Sequence, residues 1–370
     1  VKLIGVPYDD LLAQLNLIGP HFTYDMIRID VAQFGDIGQS IYRPLDELSI
    51  SPEGLSPRLI KNGYDSYSML NGRVYALPLD PSVQIFLYRT DLFHDAKLCR
   101  AYYERFHENL VVPTTYEQYL HAAEFFTRSC NPDSPTEYGT TMTCGSASVA
   151  ASDFLPFYLS RIDRFGSTPE TLRLDCPEMQ AAMRQYHALE KFSCKQNWWG
   201  DSIQKFAEGK TAMTVIYSNY AAELINSGNS VVVGRVGAAI LPGCKPLLGG
   251  GIVGISRYSP KAEACKQFFH WYYSADVASL LVRLGGTSPI VDAYEDFQNY
   301  SIFPWMNTSK KSFGLGQRGV INQTPERFSI PKYEFAVGTA VRNVVQDLMT
   351  PEDASRMAQA LYDAADPVCR

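Results

Sequence analysis

Three groups of residues bring hydrogen-bonding side chains or bare backbone to places where apolar patterning calls for buried strand. Asp80, Ser82 and Gln84 alternate through the middle of an otherwise apolar run from Tyr75 to Phe93, YALPLDPSVQIFLYRTDLF. Asp30-Val-Ala-Gln33 follows the apolar stretch Met26 to Ile29, at the end of a strand where open α/β sheets place ligand groups. Asp30 suits the cap of a helix beginning near Ala32 equally well, and the two roles can coexist. Gly249-Gly-Gly-Ile-Val-Gly254 supplies glycines, which let backbone approach backbone or a guest closely. Carboxylates, amides and hydroxyls so placed could bind a polar guest in a cleft. The plainer reading of the first group is an edge strand kinked at Pro78.

Catalytic chemistry needs an assembled set, and none is legible. The six histidines (His21, His94, His107, His121, His187, His270) are scattered without an HExxH frame, and there is no GxSxG elbow or P-loop. Gly249 to Gly254 satisfies G-x-G-x-x-G formally, but the pattern continues as strand and no helix opens before Pro260, so it is no dinucleotide fingerprint. The eight cysteines (Cys99, Cys130, Cys144, Cys176, Cys194, Cys244, Cys265, Cys369) contain no CxxC pair and no zinc-ligand spacing. No catalytic residue, metal site or cofactor is therefore expected. Carboxylates are numerous enough that a glycosidase-like pair stays a minor alternative.

The elements that must hold these residues can be read in outline. A chain of 370 residues can form two lobes with separate cores. Its 46% hydrophobic and 19% charged content is that of a globular protein, and a net charge of -6 argues against direct nucleic-acid contact. No apolar run reaches the roughly 20 residues of a membrane span. Strands are expected at Leu3–Val6, Met26–Ile29, Tyr138–Met142, Thr211–Tyr217 and Ile252–Ser256. Helices are expected from Asp9-Asp10 through Leu15, from a Thr114…Glu117 capping box through Arg128, from Asp153, over Pro177–Phe192 and Ser202–Glu208, and after Thr350. Asn71-Gly72 signals a tight turn. Asn299, Asn307 and Asn322 head glycosylation triplets by pattern alone.

Four stretches carry a resemblance. Tyr75 to Phe93 resembles the LP-x-D-x-S…YR-x-DLF segment of the extracellular solute-binding proteins that serve ABC sugar importers, the maltose-binding-protein-like family. Phe206 to Met213 is similar to that family's F-x-x-GK-x-AM. Gly249 to Ser256, followed by Pro260 to Phe269, resembles its glycine-led strand and next helix. Gly285 to Pro289 resembles the small-residue turn after it. The four occur in the family's order. Val1 to Asp10 resembles the family's second strand and helix start, so a first strand and helix are expected to be missing.

The resemblance implies an α/β, two-lobe periplasmic-binding-protein-like fold with a hinged interlobe cleft. Residues 1–82 with 252–301 would form the N-terminal lobe, and 83–251 with 302–370 the C-terminal lobe. Crossings are expected near Asp80–Ile85, Gly249–Gly254 and Ser301–Trp305. The implied ligand-binding set is Asp30, Gln33, Asp80, Ser82, Ser146, Tyr217, Asn219, Gly250 and Tyr333, with Ser148 a weaker candidate. Trp198 and Trp199 suit either the cleft or core packing, and core packing of Tyr333 is an equal alternative. The implied function is non-enzymatic binding of a mono- or oligosaccharide by a monomer that delivers it to an ABC permease from the periplasm or cell surface. The scattered cysteines fit free thiols in a reducing compartment instead, which keeps open a cytoplasmic ligand-sensing domain of a transcription regulator.

Overall fold

The computed structural model describes residues 1–6, 10–48, 50, 54–162, 173–226, 228–318 and 329–364. Asp9, Asn322 and Cys369 thus lie outside the described residues. Among the described residues nine strands occur in chain order: β1 Met26–Asp30, β2 Met69–Leu70, β3 Arg73–Val74, β4 Ala76–Arg89, β5 Thr140–Thr143, β6 Ser193–Gln196, β7 Met213–Tyr217, β8 Val236–Ala239 and β9 Leu248–Ile255. Helices cover most of the remainder, giving the mixed α/β, two-lobe architecture of the periplasmic-binding-protein fold.

β4 holds the molecule together. Its 14 residues run roughly 45 Å, long enough to serve both lobes. The first half pairs antiparallel with β9, from Ala76↔Gly254 to Val83↔Leu248. The second half pairs with β7, from Gln84↔Tyr217 to Tyr88↔Met213, and with β8, from Phe86↔Ala239 to Arg89↔Val236. β1 adds to the far side of β9. Pro78 breaks no strand: the register shifts between Pro78 and Asp80, and this irregularity accommodates a residue without an N–H. From Ala76 to Arg89 the run is one continuous strand.

Side-chain alternation along β4 feeds two cores. Val83, Ile85 and Leu87 join a cluster with Ile29, Phe34, Ile216, Ile252 and Phe269, while Phe86 points into a second with Phe126, Met142, Phe154 and Val337. The clusters are thus the two faces of the sheet in its second half. Full burial of side chains of this size contributes about 1.5–3 kcal/mol each, so the strand is fixed in register by both faces. Phe303, Trp305, Met306 and Phe313 belong to the first cluster, and the Ile330–Val345 helix to the second.

Local signals held with shifts. Asn71 and Gly72 take φ of 49° and 76° between β2 and β3, the double left-handed turn their types favour. The capping box moves one residue on: Thr115 accepts from the Gln118 amide, the Gln118 side chain takes the Thr114 and Thr115 amides, and the helix covers Tyr116–Phe125 only. Two adjacent threonines made the frame ambiguous. Ser146 caps a helix over Ala147–Leu159, earlier than the aromatic run starting at Asp153 indicated. Thr350 caps Pro351–Asp363 as expected. Residues 1–6 form no strand: Val1, Leu3 and Ile4 are exposed, without a partner strand among the described residues. Asn299 is buried and donates to the Ala293 carbonyl, which removes it as a glycan acceptor. Cys99, Cys130, Cys144, Cys176, Cys194, Cys244 and Cys265 carry free thiols. No described helix is long and apolar enough to cross a membrane.

Candidate binding cleft

A cavity of about 310 Å³ opens where β1, β4 and β9 face the ends of β7 and the Ala147–Leu159 helix. Arg28 and Asp30 reach it from β1, because alternation puts residues 28 and 30 on one face while Ile27 and Ile29 turn into the core. Asp80 reaches it from β4, and Gly249 and Gly250 line it from β9. The opposite wall is Ser148, Val149 and Ser152 of the Ala147–Leu159 helix, Trp198 and Trp199, Tyr217 at the end of β7, and Asn219 and Tyr220 just beyond. Arg318 closes one side.

The three glycines of β9 are required by their neighbours. Gly250 has φ +83°, and a Cβ there would lie 2.1 Å from the Asp80 carbonyl oxygen. At Gly249 a Cβ would strike the Tyr217 ring, and at Gly251 the Arg28 guanidinium. Their absence of side chains lets the phenol and the ion pair lie directly on the strand.

Two guanidinium–carboxylate pairs set the electrostatics. Arg28 donates to Asp80 from Nε to Oδ1 (3.2 Å) and from Nη2 to Oδ2 (2.8 Å). Burial disfavours the Arg28 charge, and the adjacent Asp80 carboxylate outweighs it and holds the guanidinium pKa above its usual value. Arg318 donates from Nη2 to Glu334 Oε2 at 3.0 Å, with Nε 3.0 Å from Oε1, both side chains being buried. Its Nη1 donates to the Tyr217 hydroxyl (2.8 Å) and the Leu248 carbonyl (3.1 Å). Burial pushes Tyr217 up to about 12, with the Arg318 charge pulling the other way. Burial also raises Glu334 above the ordinary carboxyl range, Arg318 opposing.

Asp30 both caps and lines the cleft. Its Oδ1 accepts from the Ala32 amide at 2.9 Å, and among the described residues it makes no ion pair. Trp198 donates from Nε1 to the Tyr220 hydroxyl at 2.8 Å, which ties together two aromatic residues that line the cavity. Trp199 meets Tyr217 edge to face, with centroids 5.1 Å apart.

Of the residues singled out from sequence, Asp30, Asp80, Tyr217, Asn219 and Gly250 come together on the cavity, with Ser148, Trp198 and Trp199. Ser82 does not reach it: buried beneath, it donates to Asn219 Oδ1 at 2.7 Å and so orients a lining residue. Gln84, further along the same face, donates to the Ser152 carbonyl (2.7 Å) and accepts from the Leu247 amide (2.9 Å). Gln33 is buried in the turn after β1 and is not a lining residue. Ser146 is a helix cap. Tyr333 is core, its ring edge-on to Tyr362 at 5.8 Å. Sequence reasoning missed Arg28, Ser152, Tyr220 and Arg318. Period-two alternation from Asp30 would have found Arg28; nothing local marks Arg318. Among the described residues no His, Cys, Asp and Glu groups converge as a metal site.

Residues 1–305 match the bacterial extracellular solute-binding protein family. Among solved structures, an ABC transporter solute-binding protein from Agrobacterium radiobacter K84 in complex with ribitol superposes with a TM-score of 0.79 at 20% identity, over 96% of this chain and 88% of that one. The GacH receptor of Streptomyces glaucescens, solved unliganded and with acarbose, gives 0.75 at 18% over 97% and 88%. Maltose-bound T. maritima MalE3 gives 0.73 at 20% over 95% and 87%. At these identities the likeness is one of fold.

Proposed function

The chain belongs to the bacterial extracellular solute-binding protein family, and we propose that it binds a mono- or oligosaccharide in the cleft between its lobes and hands it to an ABC permease outside the cytoplasm. The family is one of binding proteins, and the chain is read as a binder, not an enzyme. The carrying observation is the cleft itself: Asp30, Asp80 and Arg28 on one wall face Trp198, Tyr220 and Asn219 on the other. The carboxylates and guanidinium pair with ligand hydroxyls, while the aromatic faces cover the apolar side of a sugar ring. Closure by bending at β4 and β9 dries the cleft, and a dry cleft penalises any polar group left without a partner, which is the source of specificity. The proposed lobes are 1–82 with 252–301 and 83–251 with 302–370, acting as a monomer.

The solved structures above, one with ribitol, one with acarbose and one with maltose, support a polyhydroxy ligand. The test is a thermal-shift screen against a sugar and polyol panel, followed by calorimetry. A saturable stabilisation that rises with ligand concentration is expected; neither heat nor stabilisation from any member would remove the reading.

A further inference from the structure

We propose, resting on the sugar-binding reading above, that the ligand is a single-ring sugar or short polyol without negative charge, and that Asp30 excludes acidic sugars.

An anionic ligand needs a cation that is still available, and among the described residues the two guanidiniums of the cleft are each held by a carboxylate. Arg28 holds Asp80 through two hydrogen bonds, and Arg318 is braced by Glu334, the Tyr217 hydroxyl and the Leu248 carbonyl. A ligand carboxylate or phosphate would have to displace a carboxylate already placed for two-point contact. Asp30 adds a negative charge to the same cavity and, among the described residues, no cation lies within ion-pair distance of it. Glu334, buried behind Arg318, and Asp80 offset the two guanidiniums, so Asp30 is the lining charge left without a partner cation among the described residues, and a like charge brought into a half-enclosed cleft is repelled far more than in water.

A hydroxylated ligand meets the opposite situation. One Asp30 oxygen caps Ala32 and the other is left to accept from a ligand hydroxyl. Asn219, Ser148 and the Gly249–Gly250 backbone add further neutral partners. The volume bears on size: about 310 Å³ is at the bottom of the roughly 300–1,000 Å³ range of small-molecule sites, which favours one ring or an open chain of similar length over a long oligosaccharide.

The experiment compares three panels on the intact chain by thermal shift and calorimetry: neutral pentoses, hexoses and their alditols; the matching uronic and aldonic acids; and di- and trisaccharides. A binder in the first panel is expected, with its acid analogue at least tenfold weaker. Preference for an acid or for an oligosaccharide overturns the assignment while leaving sugar binding intact. No response to any panel removes sugar binding itself. Asp30→Asn keeps an acceptor for the Ala32 amide and removes only the charge. It should weaken the neutral ligand and narrow the neutral-to-acid ratio at least threefold, and an unchanged ratio would assign the discrimination elsewhere and overturn the role of Asp30.

Discussion

Arg318 donates to the Tyr217 hydroxyl at 2.8 Å, tying a stretch beyond residue 305 to the strand end that faces the cleft. The same guanidinium neutralises Glu334, so the phenol's position depends on a buried charge pair.

Arg318→Met should therefore destabilise the chain by about 3–5 kcal/mol in urea unfolding, because it strands the Glu334 carboxyl in the core. The double variant Arg318→Met with Glu334→Leu should recover much of that loss, since no charge is left unpaired. It should not recover ligand affinity, because Tyr217 loses its brace. A single variant as stable as the parent would mean the pair contributes nothing net.

Gly250→Ala tests the backbone at the crossing. Left-handed φ costs a side-chain-bearing residue roughly 1–2 kcal/mol, and the added methyl must also displace the Asp80 carbonyl at 2.1 Å. A loss of more than about 2 kcal/mol is expected, with weaker binding because Asp80 moves. Parent-like stability on denaturant unfolding would show that β4 and β9 separate freely here.

What could be read from sequence was what alternation and strand ends encode. Asp80, Ser82 and Gln84 announced a polar stripe, but only tertiary packing decides that Asp80 reaches the cavity while Ser82 and Gln84 hold Asn219 and Ser152 from below. Asp30 and Tyr217 both end their strands at the cleft; the strand-end rule pointed to Asp30 and the family resemblance to Tyr217. Arg318 itself lies outside any helix or strand, and its partners at 217, 248 and 334 converge only in the fold. Tyr333 failed for the opposite reason: an aromatic in the first turn of a helix can face either way, and here the apolar face of the Ile330–Val345 helix claims it.

Asp153 gives a pH dependence with a definite sign. Burial pushes its carboxyl up to about 7, against hydrogen bonds from the Tyr186 hydroxyl (2.6 Å) and the Thr143 amide (3.2 Å). The folded pKa lies above the unfolded value of about 3.9, so the stability this group contributes is complete below about pH 4 and is lost as pH rises through 7. The full swing is roughly 4 kcal/mol. Asp153→Asn resembles the protonated form. It should be more stable than the parent at pH 8 by up to that amount, with the gap closing toward pH 5 in parallel denaturant titrations. A gap that widens on acidification would reverse the assignment.

Trp198 is the aromatic residue best placed to report occupancy. It is 39% exposed at the cleft mouth and fixed by its bond to the Tyr220 hydroxyl, so it contributes little to the core and much to any ring that lies on it. Binding should change its fluorescence saturably. Trp198→Ala should weaken affinity about 10- to 100-fold, roughly 1.4–2.7 kcal/mol, while shifting folding stability by less than about 1 kcal/mol. Tyr220→Phe separates the two contributions, since it removes the hydroxyl that orients the indole and keeps the ring. An intermediate loss is expected from it. If Trp198→Ala instead lost several kcal/mol of stability, or left affinity untouched, the indole would be a packing residue and the sugar face would have to be sought at Trp199 and Tyr217.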